Sequence, residues 1–302
     1  MNLKKTFEEA LEHLADNRDL RRSQSIDISG CRTVCLALGP YRNLTTLTAA
    51  TLFLHPNCQV LNHAGGRIYG RDEVDFLANY SEERFHRFVQ FAIQISNKGQ
   101  RGGYGGSIVH SHAFDEGHPM RNLHQESGAD LVKRDIRCLF WKESLVTANR
   151  IRQTNTDLGS ILAKNKRLRF LMPVRNPLDC AVSNLKTGHV TLFKGLNKQS
   201  PVSDVVAAIL REFAWFADLE HKHPGRFFRY FEHSICREML VVMASFLELA
   251  PDDQWISKAL VAMETKPSYP HDDKLKAFYR EGVRELFAEF PNWREALLEF
   301  AG

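Results

Sequence analysis

The segment PYRNLTT (40–46) carries an arginine and two hydroxyl side chains directly after the apolar run RTVCLALG (32–39). If the run is a strand and a helix starts at Thr45, several backbone N–H groups meet at the positive end of the helix dipole, which suits phosphate or sulfate. Arg42 can add a fork of donors, and Thr45 and Thr46 can donate from their hydroxyls. The segment therefore predicts an anion-binding loop, with an ordinary strand-to-helix turn as the alternative.

This loop differs from the nucleotide triphosphatase pattern GxxxxGK[ST]. In that pattern a lysine contacts the β- and γ-phosphates, and a hydroxyl binds magnesium. The segment GPYRNLTT (39–46) has neither that lysine nor the second glycine. A nucleoside triphosphate with magnesium is therefore not the expected ligand of this loop.

A second segment, RFLMPVRNPLDCAVSNL (169–185), begins as an apolar run that ends at Arg175 and continues as a helical pattern. Asn176 is a suitable N-cap, and Pro177 suits the first helical position. Ser183 follows about two turns into that helix, so Arg175 and Ser183 could bind one phosphate together. The alternative is that the Asn-Pro-x-Asp motif only caps the helix.

Taken in order along the chain, these two segments resemble the sulfotransferases that use 3′-phosphoadenosine 5′-phosphosulfate (PAPS). In that family a loop commonly written Lys/Arg-Ser-Gly-Thr-Thr binds the 5′-phosphosulfate, and a later Arg-(Asn/Asp)-Pro-x-Asp-x-x-x-Ser segment binds the 3′-phosphate. The resemblance implies that Arg175 and Ser183 bind the 3′-phosphate. It also implies that the residues around the 5′-phosphosulfate are Tyr41, Arg42, Asn43, Leu44, Thr45 and Thr46.

Leu44 departs from the family pattern, which has glycine at its position. If that glycine needs a positive φ, a leucine there implies either a different turn or a strained one. The conformation of Leu44 is therefore a direct question for the structure.

Two later segments extend the resemblance, and Lys266 is a further candidate contact. WKES (141–144) stands where carbohydrate and bacterial members have Lys-Ser/Thr-Pro, and RYFEHSICREMLVVMASFLEL (229–249) is similar to their Tyr-Glu-Asp-Leu segment and the helix after it. Lys266 stands where many members bring a late basic segment over the cofactor. The similarities run in the family's order from about residue 32 to residue 249.

The resemblance implies in-line transfer of a sulfuryl group from PAPS to an acceptor, without a metal. Such a transfer requires that the charge on the leaving phosphate be neutralised and that the acceptor's proton be removed. Arg42 stands at the family's Lys/Arg position and is the candidate for the leaving 5′-phosphate. Lys142 is the candidate for the transferring group or the bridging oxygen, unless it is a solvated lysine.

Two residues remain open as the general base. HSHAF (110–114) resembles the Lys-Thr-His-Leu segment of cytosolic sulfotransferases, which indicates His112. Histidine suits this task because its ordinary pKa of about 6.5 lets it accept a proton near neutral pH. Glu143 is the rival, since carbohydrate sulfotransferases often use a glutamate. HSHAF and WKES cannot both occupy the strand that precedes Arg175.

Neither the other histidines nor the glycine-rich loop yields a firm assignment. His110, His118 and His124 are spaced irregularly around His112 and have no accompanying cysteine, so no metal site is predicted. The loop RGGYGGS (101–107) has the flexibility of a lid over an acceptor, and an ordinary surface loop is the alternative.

The elements that would position these residues alternate along the chain. Strands are expected at 32–39, 58–65, 136–144, 167–174 and 226–232, and helices at 45–54, 81–97, 145–163, 177–187, 203–222, 236–249, 254–264 and 272–290. This alternation predicts an α/β fold, a three-layer P-loop-like arrangement with a central parallel sheet flanked by helices. One domain is expected over 1–302, with a helical N-terminal extension at about 1–25 and a helical C-terminal region at about 236–302.

Composition sets limits on the function. A net charge of +4 and a pI of about 8.7 fit an anionic ligand and are too weakly basic to predict nucleic-acid binding. Six scattered cysteines favour free thiols in a reducing compartment. Without an apolar run of about 18 residues or the apolar core of a signal peptide, a cytoplasmic protein with no transmembrane segment is expected.

The leading hypothesis is a PAPS-dependent sulfotransferase acting on a hydroxyl, with a glycan or glycolipid as the expected acceptor. A P-loop kinase acting on a small molecule and a non-catalytic adenine-nucleotide-binding protein are the alternatives. No motif in the chain specifies an oligomeric state.

Overall fold

The computed structural model describes residues 3–128, 130–264 and 269–301, with the side chains of the first helix described from residue 11 onward. Its strands are β1 Thr33–Ala37, β2 Cys58–Asn62, β3 Gly106–Ser107, β4 Cys138–Lys142, β5 Leu168–Val174 and β6 Phe227–Phe231. They form one six-stranded sheet in the order β3-β2-β4-β1-β5-β6. The short β3 pairs antiparallel with β2, and the other neighbours pair in parallel.

Helices occupy most of the remaining chain. They are α1 Leu3–Ser23, α2 Thr45–Phe53, α3 Gly65–Ile68, α4 Glu82–Ile95, α5 Pro119–Ser127, α6 Leu145–Gln153, α7 Leu158–Lys164, α8 Pro177–Thr187, α9 Val202–Lys222, α10 Arg237–Phe246, α11 Asp253–Ala262, α12 Asp273–Leu286 and α13 Pro291–Leu298. Short 3-10 helices lie at Ile108–His110, His112–Phe114, His189–Leu192, Glu232–Ser234 and Glu299–Ala301.

Both faces of the sheet are covered, as the continuous apolar runs predict. In β1, Val34 and Leu36 pack into one apolar core, while Cys35 and Ala37 pack into a second. Because side chains alternate across a strand, the two cores lie on opposite faces of the sheet. The predicted α/β fold, with helices on both faces of a central parallel sheet, is confirmed.

The strand order brings the segments of chemical interest to one edge. β1 lies between β4 and β5, and β2 lies on the far side of β4. In the parallel register Asn62 pairs with Lys142, so β2 and β4 end at the same level. The carboxyl ends of parallel strands form the crevice where α/β proteins bind ligands. The loops after β1, β2, β4 and β5 therefore meet there.

Several elements differ from the sequence expectation. The helix expected over 145–163 is two helices, α6 and α7, because Asn155 has a φ of 48° and Asp157 starts a new helix by accepting from Ser160 N–H at 2.9 Å. The helix expected over 272–290 ends at Leu286, and Pro291 begins the separate helix α13. Proline suits a first helical turn because its missing N–H would have no helical partner there.

The segment HSHAF (110–114), which was compared with a strand motif, forms parts of two consecutive 3-10 helices. The strand that precedes β5 in the chain is β4, which carries WKES at its end. The structure thereby answers which of the two motifs occupies that strand.

Helices lie near both ends of the described part of the chain. α1 begins the described part of the chain, and α10 to α13 follow the last strand. Within the described residues, no helix combines the length and apolar character needed to cross a bilayer. Lys266, which the resemblance assigned to the cofactor, lies outside the described residues.

Candidate active site

The loop between β1 and α2 holds two residues in the left-handed backbone region. Arg42 has a φ of 62°, and Leu44, directly before the first turn of α2, has a φ of 60° and a ψ of 0°. This region costs an L-residue roughly 1–2 kcal/mol. Leu44 therefore adopts the positive φ that glycine would take without strain, and the turn is strained.

Asn43 joins this loop to the end of β5. Its side chain is fully buried, its oxygen accepts from Arg175 N–H at 2.8 Å, and its amide donates to Pro173 O. Buried polar groups that keep both partners stabilise a single arrangement. The side chain of Asn43 thus holds the β1–α2 loop against the start of the Arg175 segment.

A cleft of about 410 Å³ opens at the carboxyl edge of the sheet. Four basic side chains line it, namely Arg42, Arg101, Lys142 and Arg175. Other predicted residues in its lining are Tyr41, Leu44, Thr45, Thr46 and His112. The first turn of α2 starts in this lining, so its backbone N–H groups and helix dipole add to the positive potential. The cleft is suited to a polyanion.

Arg42 reaches toward helix α8. Its Nε donates to Ser183 Oγ at 2.9 Å, and Ser183 is only 4% exposed. Arg175 lies at the end of β5 with loose contacts, 3.8 Å to Asp179 and 3.9 Å to Glu232. The structure therefore brings Arg42 into contact with Ser183 and places Arg42 and Arg175 together in the lining of the cleft.

Asn176 caps α8, as the Asn-Pro motif predicts. Its side-chain oxygen accepts from Leu178 N–H at 3.0 Å, and Pro177 occupies the first turn. Asp179 in that turn accepts from His271 Nε2 at 2.8 Å. Capping and a phosphate-binding arginine are compatible, because the cap involves the backbone of α8 and leaves Arg175 at the cleft.

Lys142, the last residue of β4, is a buried lysine at the cleft. It is 4% exposed, and its Nζ lies 3.0 Å from Nε2 of His63. Burial, opposed by the neighbouring Glu143 carboxylate and aided by Arg42, lowers the pKa of Lys142 to about 8. Lys142 is thus a cation whose charge is sensitive to its surroundings near neutral pH.

Glu143 lies behind the cleft wall. Its Oε2 accepts from Gly65 N–H at 2.9 Å, and its Oε1 lies 3.4 Å from Tyr41 OH and 3.5 Å from His63 Nδ1. The carboxyl group is 6% exposed. These contacts suit a residue that orients its neighbours better than one that accepts a proton from a substrate.

His63 is a cleft residue that the sequence reasoning missed. It follows β2 directly and lies between Lys142 and Glu143, with a φ of 56°. Its ring is nearly parallel to that of Tyr41, at 6.1 Å between centroids, and the other face of Tyr41 stacks on His189 at 5.0 Å. The available signal was its place at the end of a buried strand, CQVLN (58–62), beside the strand that carries Lys142.

His112 also lines the cleft and belongs to the second 3-10 helix. The His112 residue is exposed in part, yet surrounding protein atoms displace water from its ring. The positive charges of Arg42, Lys142 and Arg101 also oppose protonation of the ring. These effects lower the pKa of His112 to about 4, although Asp115 acts in the other direction. The imidazole is therefore unprotonated at physiological pH, and it is a weaker base than an ordinary histidine.

The glycine-rich loop contributes to the cleft and is anchored at both ends. Arg101 and Gly102 line the cleft, and Arg101 pairs with Asp115 through two contacts of 2.8 and 3.2 Å. A Cβ on Gly105, whose φ is 68°, would overlap the backbone of Asn62 and Ala64. Glycine is required at that position because the loop runs directly against the end of β2.

Across the described residues, no group of three or more histidine, cysteine or acidic side chains is arranged to hold a metal ion. His110, His112 and His118 all line the cleft. The absence of a metal requirement remains a prediction of the sequence.

Two sulfotransferases are among the solved structures that are similar to this chain. One is the mouse sulfotransferase SULT7A1 complexed with PAP, with 12% identity, coverage of 94% of this chain and 92% of that one, and a TM-score of 0.44. The other is sulfotransferase STF9 from Mycobacterium avium, with 11% identity, coverage of 93% of this chain and 81% of that one, and a TM-score of 0.47. No family model and no curated protein matches the chain. With both TM-scores below 0.5, residue roles depend on the geometry of this chain.

Proposed function

We propose that the cleft binds PAPS and transfers its sulfuryl group to a hydroxyl acceptor. The observation that carries this proposal is the convergence of Arg42, Lys142 and Arg175 with the start of α2 and His112 in one cleft. Phosphate groups at two positions of PAPS require several cations, and removal of a hydroxyl proton requires an unprotonated base.

The donor would be held at its two phosphate groups. Arg175 and Ser183 are proposed for the 3′-phosphate, and the β1–α2 loop with Thr45 and Thr46 for the 5′-phosphosulfate. Arg42 contacts Ser183 at 2.9 Å, so the guanidinium joins the two proposed subsites. Arginine is suited to this position because its fork of donors can serve more than one oxygen.

The proposed transfer is an in-line displacement at sulfur. The acceptor oxygen forms a bond to sulfur while the bond from sulfur to the bridging phosphate oxygen breaks, and the electron pair of that bond stays on the phosphate. Arg42 and Lys142 would neutralise the charge that grows there. The acceptor's proton passes to His112, so the products are the sulfated acceptor, adenosine 3′,5′-bisphosphate and a protonated base.

His112 is preferred to Glu143 as this base. His112 lines the cleft, whereas both oxygens of the buried Glu143 carboxylate face groups of the protein itself. A base must come within hydrogen-bond reach of the proton that it removes. The proposed acceptor is a hydroxyl of a glycan or glycolipid, because WKES (141–144) is similar to the segment of carbohydrate-acting members.

Calorimetric titration separates this function from its rivals. The purified protein is titrated with adenosine 3′,5′-bisphosphate and with ATP, each with magnesium and with EDTA. We expect the bisphosphate to bind in EDTA and more tightly than ATP. Binding of ATP alone, and only with magnesium, would indicate a kinase. Bisphosphate binding without turnover of PAPS on a panel of hydroxyl acceptors would indicate a non-catalytic nucleotide-binding protein.

Arg175→Ala tests the proposed 3′-phosphate site within the same experiment. Loss of a charged hydrogen bond costs about 1.5–3 kcal/mol, so the bisphosphate dissociation constant should rise about 10- to 100-fold. Arg134→Ala is the matched control, because Arg134 is 93% exposed and pairs with Asp130 away from the cleft. Equal affinities of the two variants would contradict the assignment of Arg175.

A further inference from the structure

Resting on the proposed sulfuryl transfer, we propose that His63 is a positioning residue that holds the Lys142 ammonium in the cleft, with Glu143 orienting the His63 ring. The three side chains form a continuous array, with 3.5 Å from Glu143 Oε1 to His63 Nδ1 and 3.0 Å from His63 Nε2 to Lys142 Nζ. The array lies at the ends of the neighbouring strands β2 and β4.

The backbone fixes where the His63 ring can lie. His63 N–H donates to Lys142 O at 2.9 Å, and Trp141 Nε1 donates to His63 O at 2.5 Å. The end of β2 is therefore bound to the end of β4 through both polar groups of the His63 backbone. The ring of Tyr41, nearly parallel at 6.1 Å, limits the side chain on one face.

Hydrogen-bond chemistry then selects one protonation pattern. The Glu143 carboxylate can only accept, and Gly65 N–H fixes its Oε2 at 2.9 Å. The Nδ1 of His63 therefore carries the proton that faces Oε1, where 3.5 Å makes the attraction mainly electrostatic. In the neutral ring Nε2 then keeps its lone pair, and that lone pair can accept from the Lys142 ammonium.

This acceptor matters because Lys142 is buried. An ammonium that loses its water is stabilised only where other groups accept its hydrogen bonds. Nε2 of His63 supplies one acceptor and leaves the remaining N–H bonds of Lys142 for oxygens of a ligand. Both ring nitrogens of His63 are thereby occupied, so His63 acts through Lys142. His112 remains the proposed acceptor of the substrate's proton.

Two amide substitutions separate the two halves of the array. The amide of a glutamine lies about where Nε2 of histidine lies and can accept from Lys142, whereas the shorter asparagine reaches only the Nδ1 position facing Glu143. The kcat of His63→Gln should stay within a few-fold of that of the unmodified protein. His63→Asn should lower kcat at least about tenfold, the loss of one charged hydrogen bond, with little change in the KM for PAPS.

The two variants also control for a merely structural role. The φ of 56° at His63 suits asparagine better than glutamine, so a residue needed only for the turn would favour His63→Asn in both melting temperature and activity. His63→Asn with activity equal to or above that of His63→Gln would overturn the proposal. A full tenfold effect of His63→Asn in a Lys142→Ala background would overturn it as well, since His63 would then act without Lys142.

A labelling experiment tests the contact without relying on turnover. Brief acetylation followed by mass spectrometry reports the neutral fraction of Lys142, with the buried Lys133, which packs on Phe53, as internal reference. Loss of the Nε2 acceptor should speed the acetylation of Lys142 in His63→Asn. In His63→Gln the rate of Lys142 acetylation should stay close to that of the unmodified protein. Equal rates of Lys142 acetylation in the three proteins would overturn the inference.

Failure of the inference and failure of the proposed function are distinguishable. If the unmodified protein does not bind the bisphosphate, the proposed function is wrong, while the labelling experiment still tests the contact between His63 and Lys142.

Discussion

Arg42 and Ser183 contact each other, although the family resemblance assigns them to different phosphates of the donor. The Nε of Arg42 donates to the Ser183 hydroxyl at 2.9 Å, so the serine fixes the direction of the guanidinium. Arg42 also lines the cleft. At the scale of single residues, Ser183 therefore has two tasks, as a proposed phosphate ligand and as the support of Arg42.

Ser183→Ala should weaken bisphosphate binding and also lower kcat, because the support of Arg42 is lost with the hydroxyl. A neutral hydrogen bond contributes about 0.5–1.5 kcal/mol, so each effect should be about 2- to 12-fold. Calorimetry and steady-state kinetics measure the two effects. Ser257→Ala is the control, since Ser257 lies on an exposed face of α11. A change in affinity with unchanged kcat would show that Ser183 binds phosphate only.

The dependence of kcat/KM on pH should follow His112 and Lys142. His112 must be neutral to accept a proton, so activity should rise with pH through about 4, and Lys142 must be charged, so activity should fall through about 8. Lys142→Arg should move the alkaline limb upward, because arginine keeps its charge. Circular dichroism at each pH controls for unfolding. An alkaline limb that persists near 8 in Lys142→Arg would contradict the assignment.

At the scale of elements, the strain at Leu44 is a local property of the β1–α2 loop. Leu44→Gly and Leu44→Ala both remove the side chain, but only glycine takes a φ of 60° without strain. We expect the glycine variant to be more stable than the alanine variant by about 1 kcal/mol, the reverse of their order inside an ordinary helix. Urea denaturation measures this difference. Greater stability of the alanine variant would show that the loop takes another conformation in solution.

The buried strands could be predicted from the sequence, whereas the break between α6 and α7 could not. The strands β1 and β5 were predictable from the sequence because both of their faces are buried, which favours a nearly continuous apolar run. The α6–α7 break depends on Asn155, which has a left-handed conformation, and on the N-cap Asp157. Such local breaks leave the helical periodicity on either side intact, so the pattern over 145–163 predicted one helix.

The candidate site was predictable in part for the same reason. Arg42 and Arg175 follow buried strands within recognisable motifs, and the structure brings both to one cleft. His63 has no motif around it, and its partners Lys142 and Glu143 come about eighty residues later in the chain. Only the pairing of β2 with β4 brings the three side chains together, and that pairing is a property of the whole sheet.

At the scale of the whole molecule, the N-terminal helix is connected to the cleft through the glycine-rich loop. Asp16 of α1 accepts from Arg67 Nε at 2.8 Å and lies 3.3 Å from Tyr104 OH. The Arg67 guanidinium lies 4.3 Å from the centre of the Tyr104 ring. The loop that carries Arg101 into the cleft is thus held on its outer side by a buried ion pair between α1 and α3.

Tyr104→Ala should release this loop, whereas Tyr104→Phe should hold it. A cation over an aromatic ring contributes about 0.5–2 kcal/mol, and phenylalanine keeps the ring while alanine does not. Limited trypsin digestion, followed by mass spectrometry, reports cleavage after Arg101 as a measure of loop opening. We expect several-fold faster cleavage in Tyr104→Ala, near-normal cleavage in Tyr104→Phe, and protection by adenosine 3′,5′-bisphosphate in both. Cleavage of both variants at the rate of the unmodified protein would show that Tyr104 does not anchor the loop, and the loop would then be an ordinary surface segment whose position is independent of α1.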